Sequence, residues 1–184
     1  MNKTFICADL HFSHANMMKF SPATRPYRDV DHMDEMMVMD WNSTVGAEDL
    51  TYILGDVAFC NAAKAVGFLR RLNGRKVLIR GNHDYKLLMD TNFRECFEEV
   101  HMYHEINVDG IKVCMFHYPV AEWNQCHRGA VMFHGHVHGR PTGLEKYRSR
   151  DVGMDATGTV VVEMGEMVRR ACVGELKVHC TKEM

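Results

Sequence analysis

Short apolar runs recur along the chain, and several of them end in a cluster of polar residues. Thr4 to Ala8, Leu50 to Leu54 and Lys76 to Ile79 read as buried strands, since brief apolar runs bounded by turn residues suit a sheet covered on both faces. Helical spacing appears between them. Met33, Met36, Met37 and Trp41 share one face of a helix that Asp31 caps, with Asp34 and Glu35 in its first turn. Ala65, Phe68, Leu69 and Leu72 give a second helix from Asn61 to Leu72, and Asn73-Gly74 turns the chain. Ser13 to Lys19 is predicted as a short helix, and Pro22 and Pro26 make Phe20 to Val30 a loop. Tyr85 to Met89 is predicted as a helical turn. Glu105 to Val108 and Ile111 to Phe116 flank Asp109-Gly110 as a hairpin. Val131 to Phe133 is a further strand, Thr159 to Glu163 a last one, and Glu166 to Cys172 a short helix. Leu176 to Cys180 reads as another short strand or a tail. With no repeat, low-complexity tract or linker, residues 1–184 are expected to form a single α/β domain with no cap domain.

The polar clusters at the strand ends carry the chemistry. Asp9-Leu10-His11 follows the first strand and Gly55-Asp56 the second. Arg80-Gly81-Asn82-His83-Asp84 follows the third, and His117 the second arm of the hairpin. Phe133-His134-Gly135-His136-Val137-His138-Gly139 follows the Val131 strand. In extended backbone, residues two apart share a face, so Asp9 with His11, and His136 with His138, are expected to point together. Open α/β sheets bind ligands at the carboxyl ends of their strands. One such pair alone would be weak evidence; five strand ends with liganding groups are not explained by surface polarity.

Composition narrows the function classes. Apolar residues make up 46% and charged residues 25%, ordinary values for a globular protein. A net charge of -2 and the lack of a basic, aromatic-rich tract disfavour a nucleic-acid polymer as partner. The seven cysteines form no CxxC pair, no signal peptide opens the chain, and no apolar stretch is long enough to span a bilayer. A reduced, cytoplasmic location without membrane contact is expected, with the cysteines as core fillers. The fifteen methionines read as adaptable core packing.

Asp9, His11, Asp56, Asn82, His83, His117, His136 and His138 offer oxygen and imidazole nitrogen but no thiolate. That mix suits borderline divalent metals rather than Ca²⁺ or structural zinc. Eight groups exceed one tetrahedral ion, and two ions roughly 3.5–4 Å apart sharing a carboxylate fit better. The ordered blocks Asp9-Leu10-His11, Gly55-Asp56, Gly81-Asn82-His83-Asp84, His117 and Gly135-His136-Val137-His138 resemble the calcineurin-like metallophosphoesterase superfamily, in its small uncapped bacterial and phage form.

The resemblance implies a four-layer α/β/β/α sandwich of two mixed sheets. It implies that Asp9, His11 and His138 hold one metal, that Asn82, His117 and His136 hold the other, and that Asp56 bridges them. Two divalent ions are therefore expected, Mn²⁺ first, with Fe, Zn or Ni as alternatives. The implied activity is hydrolysis of phosphodiesters or small nucleotides by in-line attack of a hydroxide held between the ions. A broad phosphomonoesterase and a non-catalytic scaffold are the alternatives. The motif leaves His83 as the candidate general acid. Asp84 either supports His83 or, the preferred reading, caps the helical turn that follows. Arg25, Arg80 and Arg140, with Asn82, are candidates for gripping phosphate, against a plain reading as solvated arginines. Two departures set the chain apart from the superfamily's protein phosphatases. Gly55-Asp56-Val57-Ala58-Phe59-Cys60-Asn61 lacks their second Asp and their Arg, and Phe12 stands where they carry Gly. A small phosphate ester or nucleotide is the expected partner, and a homo-oligomer is left open.

Overall fold

The structure is a computed structural model and describes residues 2–177. The chain opens with β1 (Thr4–Cys7), α1 (Met17–Phe20), α2 (Val30–Thr44), β2 (Leu50–Ile53), α3 (Ala62–Arg71) and β3 (Arg75–Ile79). It continues through α4 (Thr91–Arg94), β4 (Glu99–His101), β5 (Tyr103–Val108), β6 (Ile111–Phe116) and β7 (Val131–His134). It closes with β8 (Ser149–Asp151), α5 (Met154–Thr157), β9 (Val162–Glu163) and α6 (Met164–Cys172).

Two mixed sheets form. One has the order β4-β3-β2-β1-β9, in which only β9 runs antiparallel to its neighbour. The other has the order β5-β6-β7-β8, an antiparallel hairpin continued by two parallel strands. The period of two along each strand sorts the core into layers. Phe5, Cys7, Ile53 and Leu78 face α2 and α3, packing with Met33, Met37, Trp41, Phe68 and Leu69. Ile6, Ala8, Tyr52, Leu54, Val77 and Ile79 face the other way. There they meet Val113, Met115, Val131 and Phe133 of the second sheet, and Met164, Met167 and Val168 of α6. The outer face of the second sheet, Cys114 and Met132, is covered by Trp123, Cys126 and Ala130 from the β6–β7 connection, which holds a single 3-10 turn. Because β1, β2 and β3 run parallel, and so do β6 and β7, their carboxyl ends collect at one edge of the paired sheets.

Several sequence expectations shift. The cap of α2 is Asp29, whose carboxylate accepts the His32 amide at 2.8 Å, and Asp31 lies inside the first turn. The helix expected at Ser13–Lys19 is a series of turns followed by the one-turn α1. Of Thr159–Glu163, only Val162 and Glu163 pair as strand; Val160 and Val161 are buried against the helical layer. The strands β4 and β8 were not predicted. Glu175 bridges to Tyr147, and residues 178–180 of the expected last segment lie outside the described residues. Among the described residues no helix is long and apolar enough to cross a membrane.

Candidate metal centre

The loops after β1, β2, β3, β6 and β7 converge, and their backbones are unusual. Asp9, His11, Asp56, His136 and His138 all have left-handed backbone, with φ of 55°, 52°, 55°, 71° and 51°. Such values are uncommon away from glycine and are held only where the surroundings enforce them. The His136–His138 stretch is therefore not extended, as the sequence suggested. Val137 N–H donates to the Gly135 carbonyl at 2.9 Å, a γ-turn centred on His136. Its two imidazoles consequently go to different ligand groups.

Buried side chains impose these turns. Asp9 Oδ2 accepts the His136 amide at 2.8 Å, which ties the first loop to the last. Asp151 accepts the amides of Gly139 and Gly153 at 2.8 and 2.7 Å. Asp84 accepts three amides, those of Asp56 and Val57 at 2.9 Å and Gly81 at 2.8 Å. Its carboxylate thus staples the β2 loop to the β3 loop. Its three bonds go to the two loops and none to the turn that follows, which corrects the helix-cap reading. The approach is tight enough to require glycine at Gly135 and Gly81, among others. A Cβ at Gly135 would lie 2.6 Å from Asp9 Oδ2, and one at Gly81 would lie 2.3 Å from Asp56 Oδ1.

Two ligand groups result. The ligand atoms of Asp9, His11 and His138 lie within 4.8 Å of one another, and so do those of Asp56, His117 and His136. Asp56 Oδ2 sits 3.8 Å from His11 Nε2, 3.6 Å from His117 Nε2 and 3.9 Å from His83 Nε2. Asn82 Oδ1 lies 2.9 Å from His117 Nε2 and 3.0 Å from His136 Nδ1. Asp9 Oδ1 and His11 Nε2 are buried and have no hydrogen-bond partner. Buried polar atoms are almost always paired, so two orphans facing the same small space call for a cation. Their neighbours are prepared for one. His117 Nδ1 is bound to the Leu54 carbonyl at 2.7 Å and His138 Nδ1 to Asp155 at 2.7 Å, which turns Nε2 of each toward the centre.

The electrostatics agree. Burial, with repulsion from Asp151 and Asp56, pushes the Asp9 carboxyl up to about 8, partly offset by His138 and the His136 amide. Burial and neighbouring positive groups push His11 down to about 2, so its imidazole is neutral and free to coordinate. Burial and His117 also lower His136. Burial would lower His138, but its bond to Asp155 and its proximity to Asp9 outweigh it and raise the pKa. For Asp155, burial is overcome by His138 and Arg25, which hold its carboxyl far below the usual range. Aspartates crowded out of water in this way are stabilised most directly by a bound divalent cation.

The remaining candidates divide. His83 is half-exposed, and its backbone N–H is held by Asp56 Oδ1 at 2.9 Å. Arg25 is 0% exposed. It pairs with Asp155 at 3.0 Å and donates to the carbonyls of Asp9 at 2.6 Å and Leu10 at 2.9 Å. It braces the Asp9–His11 turn and cannot grip substrate. Arg80 lies over the Tyr85 ring and lines a groove beside Glu98 and Glu99. Arg140 is exposed and shares a recess with His138 and Phe20. Sequence reasoning missed Asp155, Asp151 and His14, whose Nδ1 lies 3.4 Å from His11 Nδ1. Asp151 ends β8 and Asp155 lies in α5, but Ser149-Arg150-Asp151 has no apolar run, so the signal that marked Asp9 and Asp56 is missing there.

No protein-family model matches the sequence. An uncharacterized protein of Methanocaldococcus jannaschii, MJ1445, is 34% identical over 140 residues, covering 75% of this chain and 70% of that one, and the two are members of one family. The Gene 66 protein of Mycobacterium phage L5 is 28% identical over 191 residues, covering 88% of this chain and 90% of its own. Among solved structures, the protein of unknown function AQ665 from Aquifex aeolicus is similar, with a TM-score of 0.72 at 21% identity over 92% of this chain and 99% of that one. The chain thus belongs to the family of MJ1445, with its five motif blocks in order and gathered at one edge of two facing mixed sheets.

Proposed function

We propose that the protein is a dinuclear metal-dependent phosphoesterase that hydrolyses phosphodiesters, small nucleotides among them. The position of Asp56 carries this reading: its Oδ2 stands between the two groups, 3.8 Å from His11 Nε2 and 3.6 Å from His117 Nε2. Asp9, His11 and His138 would hold one cation, Asn82, His117 and His136 the other, and Asp56 both. Oxygen and imidazole donors suit Mn²⁺, with Fe, Zn or Ni as competitors. Two such ions, when bound, supply neutralisation of the phosphoryl oxygens and a nucleophile from water near neutral pH.

The chain's own groups do the rest. Asp56 Oδ1 fixes the His83 backbone, so the half-exposed imidazole stands at the mouth of the centre. As the bond from phosphorus to the departing oxygen breaks, the electron pair passes to that oxygen, and the His83 imidazole is placed to donate a proton to it. Asn82 turns its Oδ1 inward, which leaves its Nδ2 as a donor for a phosphoryl oxygen. Diesters are favoured over monoesters because Arg25 and Arg80 are engaged elsewhere, leaving Arg140 as the one candidate arginine at the rim. A singly charged diester needs less cationic grip than a monoester dianion. The described cysteines are free, in keeping with a reducing cytoplasm.

The test compares bis-p-nitrophenyl phosphate with p-nitrophenyl phosphate, with Mn²⁺ and with chelator. Diester turnover that chelator abolishes is expected. No turnover of either compound by protein carrying two metals per chain would refute the reading.

A further inference from the structure

A cleft of about 490 Å³ adjoins the centre on the His83 side. Its walls include Phe59, Asn82, His83, Tyr85 and Lys86. Asn82 and His83 belong to the centre itself, so one end of the cleft is where the phosphorus must sit. Phe59 and Tyr85 leave 49% and 61% of their surface exposed. A single exposed aromatic is ordinary; two on one cleft, each with a partner against its ring, are not. His14 stacks on the Phe59 ring with centroids 4.1 Å apart and planes 12° off parallel, and the Arg80 guanidinium lies 5.8 Å from the Tyr85 centroid. The Phe59 ring is thus packed by His14 on one side and meets His83 edge-on with centroids 5.1 Å apart, so ordering it on binding costs little.

We infer that this cleft is a base-binding subsite: it takes the nucleobase of a small nucleoside phosphate ester, stacked on Phe59 and Tyr85, while the phosphate occupies the centre. The inference rests on the phosphoesterase reading above. Every nucleobase has a π-face, so fixed aromatic rings bind it without regard to sequence. The volume suits one base and its sugar. Lys86 on the same wall is a cation for base carbonyl oxygens. An alkyl ester would make no use of rings held in this way, and a protein surface docking there would gain nothing from the adjacency of Asn82 and His83.

Calorimetry on the Mn²⁺-loaded protein separates the two claims, with inorganic phosphate reporting on the centre and thymidine monophosphate on centre plus cleft. Wild-type protein should bind the nucleotide at least roughly tenfold more tightly than phosphate, given the usual strength of base–aromatic stacking. Tyr85→Leu and Phe59→Leu should each cut that preference at least roughly fivefold and leave phosphate affinity and metal content unchanged. An unchanged preference in both variants, or none in wild type, overturns the subsite. Absence of phosphate binding overturns the phosphoesterase reading and the subsite with it. A thymidine oligonucleotide binding more than tenfold tighter than the mononucleotide would overturn the small-ester assignment.

Discussion

Replacing Asp84 tests how the centre is held together. Its carboxylate is fully buried, with Oδ2 accepting the Asp56 and Gly81 amides and Oδ1 the Val57 amide, all at 2.8–2.9 Å. Asp84→Ala would leave three buried N–H groups without partners. Each such loss costs about 1–3 kcal/mol, so roughly 3–5 kcal/mol in total is expected once partial relaxation is allowed for. That is a large share of a native stability of about 5–15 kcal/mol. Asp84→Asn can keep its oxygen on Asp56 and Gly81 but turns an NH₂ toward the Val57 N–H, so it should lose about 1–3 kcal/mol. Urea unfolding in chelator measures both, free of stabilisation by bound metal. A helix cap, the role suggested by the sequence, is worth only about 1 kcal/mol. An Asp84→Ala loss near that value, with Asp84→Asn no different from wild type, would refute the staple.

Two further outcomes follow from the same loops. Arg25→Met should destabilise by about 3–5 kcal/mol, because the buried Asp155 carboxylate and two carbonyls lose their partner; unchanged unfolding with a raised KM would instead mean a substrate contact. Because burial lifts Asp9 to about 8, its carboxyl is protonated in metal-free protein at pH 7. Cation binding should then release a proton from Asp9 below about pH 8, and a second from His138 wherever its raised pKa leaves it protonated, so affinity rises by at least about tenfold per pH unit up to about pH 8 and then levels. Calorimetry in buffers of different ionisation heat reads this directly, and an affinity flat from pH 6 to 8 would contradict it.

Much of the candidate centre was legible because oxygen and imidazole donors placed directly after apolar runs stand out in the sequence. Asp9, His11, Asp56, Asn82, His117, His136 and His138 all stood out as polar groups directly after apolar runs, and they converge in the structure. Their backbone was not legible. Nothing local in Gly135-His136-Val137-His138 announces left-handed residues; they are imposed by an Asp9 carboxylate more than a hundred residues away in the chain. The bracing residues were missed for the same reason. Arg25 looks like any loop arginine until Asp155 and two carbonyls from β1's loop close around it. Strands β4 and β8 contain Glu99-Val100-His101 and Ser149-Arg150-Asp151, with no apolar run, and are strands only because β3 and β7 offer them a free edge. At α2, Val30 lies one turn before the apolar stripe begins, which hid Asp29 as the cap.

Metal stoichiometry tests the centre most directly. Chelator-stripped protein reloaded with Mn²⁺ and freed of excess should carry two ions per chain by elemental analysis, with two anomalous peaks flanking Asp56. His138→Ala and His136→Ala should each retain a single ion, at opposite sides of that carboxylate. One ion per chain in wild type at saturating Mn²⁺ would contradict the shared-carboxylate pair.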